Sequence, residues 1–407
     1  MAVPGLSWSE RALSLVQKMN NFYSPGSSRY QCRPFRVGGK EVGKIPPAVL
    51  KELHQFPDIF FFSKAENGAV ELNYQLVSYQ ERSSAMEGVL QKIRAKHKFL
   101  CLEGWRDEKY DVKPNFLDQP LMCMERAATS LFGVKRYGVH VNGFTRPDDG
   151  QLAMWLGQRS FTKQTYPGLL DNMAAGGIPA QSGIKETLIR ECAEEASIPM
   201  AIAATAVPVS AISYTHENEL GIFPECQFVF DLEVPKEFEP TNADGEMQKF
   251  YLWPINKVKD AIVSTDFKPN CAMVSLDFLI RHSYLSPDSG LIPFSVNSRM
   301  MSFTFQRNRG WCDGDKREAG GGLLCTLLCS LLMESLQYVG SLEFFSFRAT
   351  LTRKPSNDSC LCLLLRISRK CDIALSLNRL IACTATPYLG GDFLQSFALF
   401  PTFYTSP

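Results

Sequence analysis

The apolar positions of residues 1–135 switch between helical and strand spacing. Leu13, Leu15 and Val16 recur among polar residues at helical intervals, which predicts a surface helix near the start. Residues 48–56, behind Pro46 and Pro47, predict a short helix. Residues 58–63 read as a buried apolar strand, and Asn67-Gly68 as a hairpin turn into a strand over residues 69–72. Met86, Val89, Leu90 and Ile93 mark one face of a helix, with Ser84 and Glu87 at capping-box spacing. A further helix is expected over residues 121–131, ending before Gly133. Together these elements form an α+β unit.

From Tyr137 the period changes to that of strands: residues 137–144, a turn at Asp148-Asp149-Gly150, residues 152–158, and a short run at 173–175 closed by Gly176-Gly177. Residues 184–196 are helical, with Ile184, Leu188 and Cys192 on one face and Pro199 beyond the end. Residues 207–214 and 226–234 predict paired strands, residues 251–253 a last strand, and residues 272–280 an apolar helix. Strands and helices in this order build a mixed sheet covered by helices. The chain thus divides into an α+β unit over residues 1–135, an α/β unit over 136–288, and residues 289–407, where no period is sustained. That last stretch is expected to be a low-order tail, with a membrane- or partner-binding appendage as the other reading.

Composition changes this picture little. A chain of 407 residues exceeds one small domain, and 45% hydrophobic with 21% charged residues suits a folded core. The net charge of +1 gives no field for nucleic acid or an anionic membrane. The uncharged run over residues 319–333 falls short of the ~20 apolar residues that span a bilayer. Thirteen cysteines without a CxxC pair point to a reducing compartment and to neither zinc nor a disulfide framework. The cytoplasm is therefore expected; the first forty residues, with Glu10 as the one acid, keep the mitochondrion as the alternative and lack the apolar core of a secretory signal.

The chemistry gathers behind Gly176-Gly177. On the helix that follows, Glu191, Glu194 and Glu195 share one face and would repel each other without a hard divalent cation among their oxygens. A diphosphate substrate would complete such a shell, and the glycines let loop backbone groups approach metal or phosphate. Glu186 lies four residues before Arg190, in the order that favours an ion pair. Arg159 and Lys163 form a local basic pair, either a diphosphate clamp or a solvated strand end. Glu246 is either an extra carboxylate entering from a loop or a hairpin residue, and Asp171-Asn172 read as a turn. The five histidines are dispersed and read as structural.

This stretch resembles the Nudix box, G-x5-E-x7-R-E-U-x-E-E-x-G-U with U apolar, from Gly176 through Arg190, Glu191, Cys192, Glu194, Glu195 and Ile198. Ser182 stands in place of the first Glu and Ser197 in place of the last Gly. The resemblance implies an α/β/α sandwich, Mg²⁺ or Mn²⁺, and hydrolysis of a small-molecule diphosphate. It implies metal ligation by Glu191, Glu194, Glu195 and Gly176, proton transfer at Glu195 or Glu246, and substrate contacts from Arg159, Lys163 and Gly177, with Glu186 and Arg190 as supports. Gly104-Trp105-Arg106, Glu125-Arg126-Ala-Ala, Leu131-Phe132-Gly133, His140-Val-Asn142-Gly143 and Pro167-Gly168-x-Leu170-Asp171-Asn172 further resemble the branch associated with thiamine pyrophosphokinase. In that branch a domain precedes the Nudix domain, and members hydrolyse oxidised or damaged thiamine diphosphates to monophosphates. The likeness covers about residues 10–288. An ADP-ribose-like hydrolase and a non-catalytic binding module are the alternatives.

Overall fold

The computed structural model describes residues 5–65, 68–147 and 150–285, and the backbone of four strands beyond them. Helix α1 (Trp8–Met19) opens on a capping box between Ser7 and Glu10. Ala12, Val16 and Met19 on its inner face are buried. Burying side chains of that size stabilises by roughly 1.5–3 kcal/mol each for the larger ones. They pack into the core of the second unit, not the first, and the Trp8 indole donates to the Lys259 carbonyl at 2.7 Å. The expected surface helix of the N-terminal unit is thus one layer of its neighbour.

The N-terminal unit itself comprises β1 (Arg33–Val37), β2 (Lys40–Ile45), α2 (Pro47–Leu53), β3 (Phe60–Phe62), β4 (Val70–Leu72), α3 (Tyr79–Arg94), α4 (Leu100–Glu103), β5 (Lys109–Val112) and β6 (Met122–Glu125). Its four-stranded sheet runs β2-β1-β4-β3 around a core of Phe35, Phe60, Leu90 and Phe132. Two expectations are corrected. Helix α3 starts earlier, capped by Ser78 with Glu81 rather than Ser84 with Glu87. The reason is that Ser83 is already inside the helix, buried, with its hydroxyl bonded to the Tyr79 carbonyl and accepting from the Cys123 amide. Residues 121–131 are not one helix: Met122, Cys123 and Met124 are buried in a strand paired to β5, and a 3-10 turn, Arg126–Leu131, follows. The turn at Asn67-Gly68 and that at Asp148-Asp149 involve residues outside those described.

The second unit holds β7 (Arg136–Thr145), β8 (Ala153–Arg159), β9 (Leu170–Asp171), β10 (Ala174–Gly177), α5 (Ile184–Ala196), α6 (Met200–Ala203), β11 (Val207–Asn218), β12 (Gly221–Glu233), β13 (Met247–Pro254), α7 (Ile255–Ala261) and α8 (Pro269–Arg281). The mixed sheet runs β13-β8-β7-β12-β11, with β7 parallel to β12 and β10 antiparallel to β7. Period-2 alternation sends Val139, Val141, Phe228 and Phe230 toward α5, where Leu188 and Cys192 meet them. Met154, Leu156, Ile212 and Val229 face α8 and α1. The result is an α/β/α sandwich.

The units are joined by hydrogen bonds, among them Ala180 N–H to the Lys109 carbonyl at 2.8 Å and the Ser130 hydroxyl to the Leu220 carbonyl at 2.8 Å. Beyond residue 285 the described backbone consists of Met301–Ser302, paired to β11, and an antiparallel sheet of Phe345–Arg353, Cys360–Arg369 and Leu377–Thr384. These strands lie where no strand period was expected, and the apolar run around Cys360–Arg369 supplies the central one. The rest of that expectation lies outside the described residues.

Candidate active site

Strand β10 ends at the Gly-Gly pair, and a short loop leads to α5. The Glu191 carboxylate presses against Gly176, where an added Cβ would fall 2.0 Å from its Cδ, so a side chain there would expel the carboxylate. Glu195, one turn on, is 3% exposed and accepts the Ala175 N–H at 2.7 Å. Glu194 is about half exposed. Arg190 stands between these acids, donating to Glu191 at 2.8 Å and lying 3.7 Å from Glu194. It does not pair with Glu186, whose carboxylate turns back to accept the Gly183 N–H at 3.3 Å and caps the helix. The helix N-cap is Gly183 rather than Ser182, and the helix ends on Ser197 at φ +52°, the left-handed conformation that a glycine would adopt without strain.

Glu246, just before β13, joins this group: Lys163 pairs with it, and its charge bears on Glu195. Burial, then the charges of Asp171 and Glu191, push the Glu195 carboxyl well above the usual carboxylate range. Burial also raises Glu191, with Arg190 pulling back. Partial burial works against charge on Glu246 too, but Lys163 outweighs it and holds this carboxylate low.

Arg159 is not a free clamp. Its guanidinium is buried, bonded to Asp171 at 2.8 Å and to the Thr165 carbonyl at 2.9 Å. Asp171 is a strand residue, not a turn, and also holds Lys268 at 3.0 Å and the Cys271 thiol at 2.6 Å. His140 is buried with Nδ1 2.8 Å from the Asn172 amide oxygen, a structural role as expected.

Among the described residues no three acids, histidines or cysteines converge on one point, because Arg190 and the Ala175 amide each draw a carboxylate aside. The donor set nevertheless fits a hard divalent cation. Glu191 lies in a cradle that Gly176 alone leaves open, and the negative charges of Glu191 and Glu246 bear on the buried Glu195, a repulsion that a cation would relieve.

The acids open on a cleft of about 1170 Å³ walled by both units. Arg106, Glu108, Tyr110 and Arg126 enter from the N-terminal unit, facing Glu191, Glu194, Glu195 and Glu246. The Tyr110 hydroxyl abuts Gly177, where a Cβ would fall 1.7 Å away, so Gly177 serves this contact between the units. On another wall His216 stacks on Phe223 with centroids 4.7 Å apart, and the Arg136 guanidinium lies 4.7 Å from the same ring. Arg106 and Arg126 stand in motifs of the family resemblance, in segments expected to help shape the pocket, whereas Arg136 and Lys268 were not singled out in the chain. For Arg136 and Lys268 the one signal in the chain is their basic type, since tertiary packing alone brings them to the site.

A model of the NUDIX domain matches residues 136–271, and one of a domain of unknown function, DUF4743, matches residues 11–136. Nudix hydrolase 20, chloroplastic, of Arabidopsis thaliana is 40% identical over 263 residues, 63% of this chain and 69% of that protein. Nudix hydrolase 24, chloroplastic, of the same plant is 40% identical over 257 residues, with the same coverage. A crystal structure of a C. elegans Ap4A hydrolase, 13% identical, covers 37% of this chain and 99% of its own, with a TM-score of 0.27. The chain belongs to the Nudix hydrolase family. It is a Nudix pyrophosphohydrolase, of a class that cleaves phosphoric anhydrides of small molecules with divalent metal ions.

Proposed function

We propose that this cleft hydrolyses oxidised or otherwise damaged thiamine diphosphates, water breaking the P–O–P bridge to release a monophosphate and inorganic phosphate. The observation that carries the reading is a convergence: Arg106, Arg126, His140 and Arg159, from motifs shared with the thiamine-pyrophosphokinase-associated branch, line one cleft with the box carboxylates. They come from both units. The stacked His216 and Phe223 offer an aromatic wall for a flat heterocycle.

Glu191, Glu194 and Glu195, with the Gly176 carbonyl, would hold Mg²⁺ or Mn²⁺. The ion would supply charge neutralisation at the diphosphate and acidify a bound water. Lys163 pairs with Glu246 and holds it beside the box acids, where Glu195 or Glu246 would accept the proton of the attacking water. Arg159 acts by fixing Asp171 and the 165–166 backbone rather than by touching phosphate. Among the described residues Cys32, Cys101, Cys123, Cys192 and Cys271 form no disulfide, in keeping with a reducing compartment such as the cytoplasm.

Chromatographic product analysis with thiamine diphosphate, its ring-oxidised analogues and ADP-ribose, each with Mg²⁺, tests the substrate, reading thiamine-type monophosphate in the first two cases and AMP in the third. An analogue should exceed ADP-ribose in kcat/KM by at least tenfold. Equal or reversed preference would refute the thiamine assignment.

A further inference from the structure

Seven Lys and Arg side chains line the cleft: Arg106, Arg126, Arg136, Arg159, Lys163, Arg190 and Lys268. Six of them face a carboxylate within ion-pair distance: Glu108, Glu225, Asp171, Glu246, Glu191 and again Asp171. Arg106 alone has no such partner among the described residues. Its main chain is fixed, because its N–H donates to the Glu125 carboxylate at 3.1 Å, yet its half-buried guanidinium ends in the cleft without an acceptor.

Its surroundings make this arrangement costly. Burial, then the positive charge of Arg126, disfavours the charged form of Arg106, with Tyr110, Glu108 and Glu246 compensating in part. Arg126 is already bonded to Glu108 at 2.6 Å and lies 5.4 Å from the Tyr110 ring centroid. The acids across the cleft are engaged as well, Glu191 with Arg190 and Glu246 with Lys163. The Arg106 charge therefore sits in a partly dehydrated cleft with no carboxylate paired to it, which costs free energy unless an anion enters. Guanidinium forks match the non-bridging oxygens of phosphate.

We infer that Arg106, with Arg126 beside it, forms a phosphate subsite that the N-terminal domain contributes to the Nudix cleft, gripping one phosphate of an organic diphosphate. Arg126 is the fixed member, held by Glu108 and the Tyr110 ring; Arg106 is the free fork. The Tyr110 contact with Gly177 keys the subsite to the box loop, so a phosphate held by the arginines lies in register with the carboxylates of α5. This assigns a task to a domain otherwise described only as of unknown function. It rests on the reading that the cleft takes a diphosphate.

Titration calorimetry of the full chain with inorganic pyrophosphate and Mg²⁺ tests it, using wild type, Arg106→Gln and Arg106→Lys. Loss of a charge-assisted bond should weaken pyrophosphate binding by at least about tenfold in Arg106→Gln, with Arg106→Lys intermediate. The melting temperature should hold or rise, since no intramolecular partner is lost and a repulsion is relieved. With substrate, KM should rise while kcat is largely kept. Absence of pyrophosphate binding to wild type, binding to Arg106→Gln within twofold of wild type, or a lowered melting temperature in that variant would each overturn the subsite. The substrate assignment fails separately: Arg106-dependent pyrophosphate binding without turnover of any thiamine diphosphate analogue would refute the substrate and leave the subsite standing.

Discussion

Replacing Glu195 with Gln separates chemistry from stability at this site. The side chain is buried and accepts the Ala175 N–H at 2.7 Å. A glutamine keeps that contact, its amide oxygen toward the Ala175 N–H. Burial and the neighbouring negative charges already disfavour ionised Glu195 in the metal-free protein, so a neutral amide should change stability by less than about 1 kcal/mol. Catalysis should respond differently. Removing one anionic ligand from the cation site should lower kcat on the order of 10²-fold, about 3 kcal/mol of transition-state stabilisation. A thermal shift with Mg²⁺ gives a second, independent readout. A ligand at about 100 times its Kd stabilises the native state by roughly 2.7 kcal/mol, so wild type should gain from saturating Mg²⁺ and Glu195→Gln should gain much less. Phosphate release and melting curves with and without Mg²⁺ are the assays. Turnover within a few-fold of wild type at unchanged melting temperature would refute the role assigned to Glu195.

Other outcomes follow from pairs outside the box. Arg159→Met leaves Asp171 buried with Lys268 as its remaining cation, so urea titration should show a loss of about 3 kcal/mol, the lower end for a broken buried pair; a loss under 1 kcal/mol would contradict the network. At Glu225, burial opposes ionisation, but Arg136, His216 and Tyr214 bring the carboxyl down from 4.5 to about 2. The folded state therefore gains roughly 3 kcal/mol above pH 4.5 and loses it as pH falls toward 2, and Glu225→Gln should flatten melting temperature against pH across that window. Ser197→Val puts a β-branched residue at φ +52° and should cost about 1–2 kcal/mol by chemical denaturation, whereas an unchanged midpoint would mean the helix end relaxes freely.

What could be read from the chain depended on how local the determinant was. Helix α5 spans Ile184–Ala196 because its apolar face, its Glu186 cap and its exit all lie within one segment, and that span is the one expected. The sandwich followed from alternating strands whose inner faces are visibly apolar. The ion pairs did not follow in the same way. Spacing alone favoured Glu186 with Arg190, but the Gly183 amide is an unsatisfied helix donor that claims Glu186, and the acids one and four residues after Arg190 claim the guanidinium. Arg159 looked free because Asp171 reads as a turn in isolation, and only the pairing of β9 with β8 buries the two together.

The same distinction explains why the N-terminal unit belongs to the site. A box helix and a Gly-Gly loop supply acids, and acids facing a diphosphate repel it until positive charge is provided. In this chain the second unit's own cations are committed: Arg136, Arg159, Lys163, Arg190 and Lys268 each answer a carboxylate near them. The uncommitted charge comes from Arg106, across a joint made by Tyr110 on Gly177 and by the Lys109 carbonyl on Ala180. That joint is built from backbone and from a residue pair in which one member has no side chain, so neither apolar period nor charge pattern announces it. A Nudix unit excised at residue 136 would keep its acids and lose both the free guanidinium and the α1 layer of its core, so affinity for diphosphate and stability should fall together, through different residues.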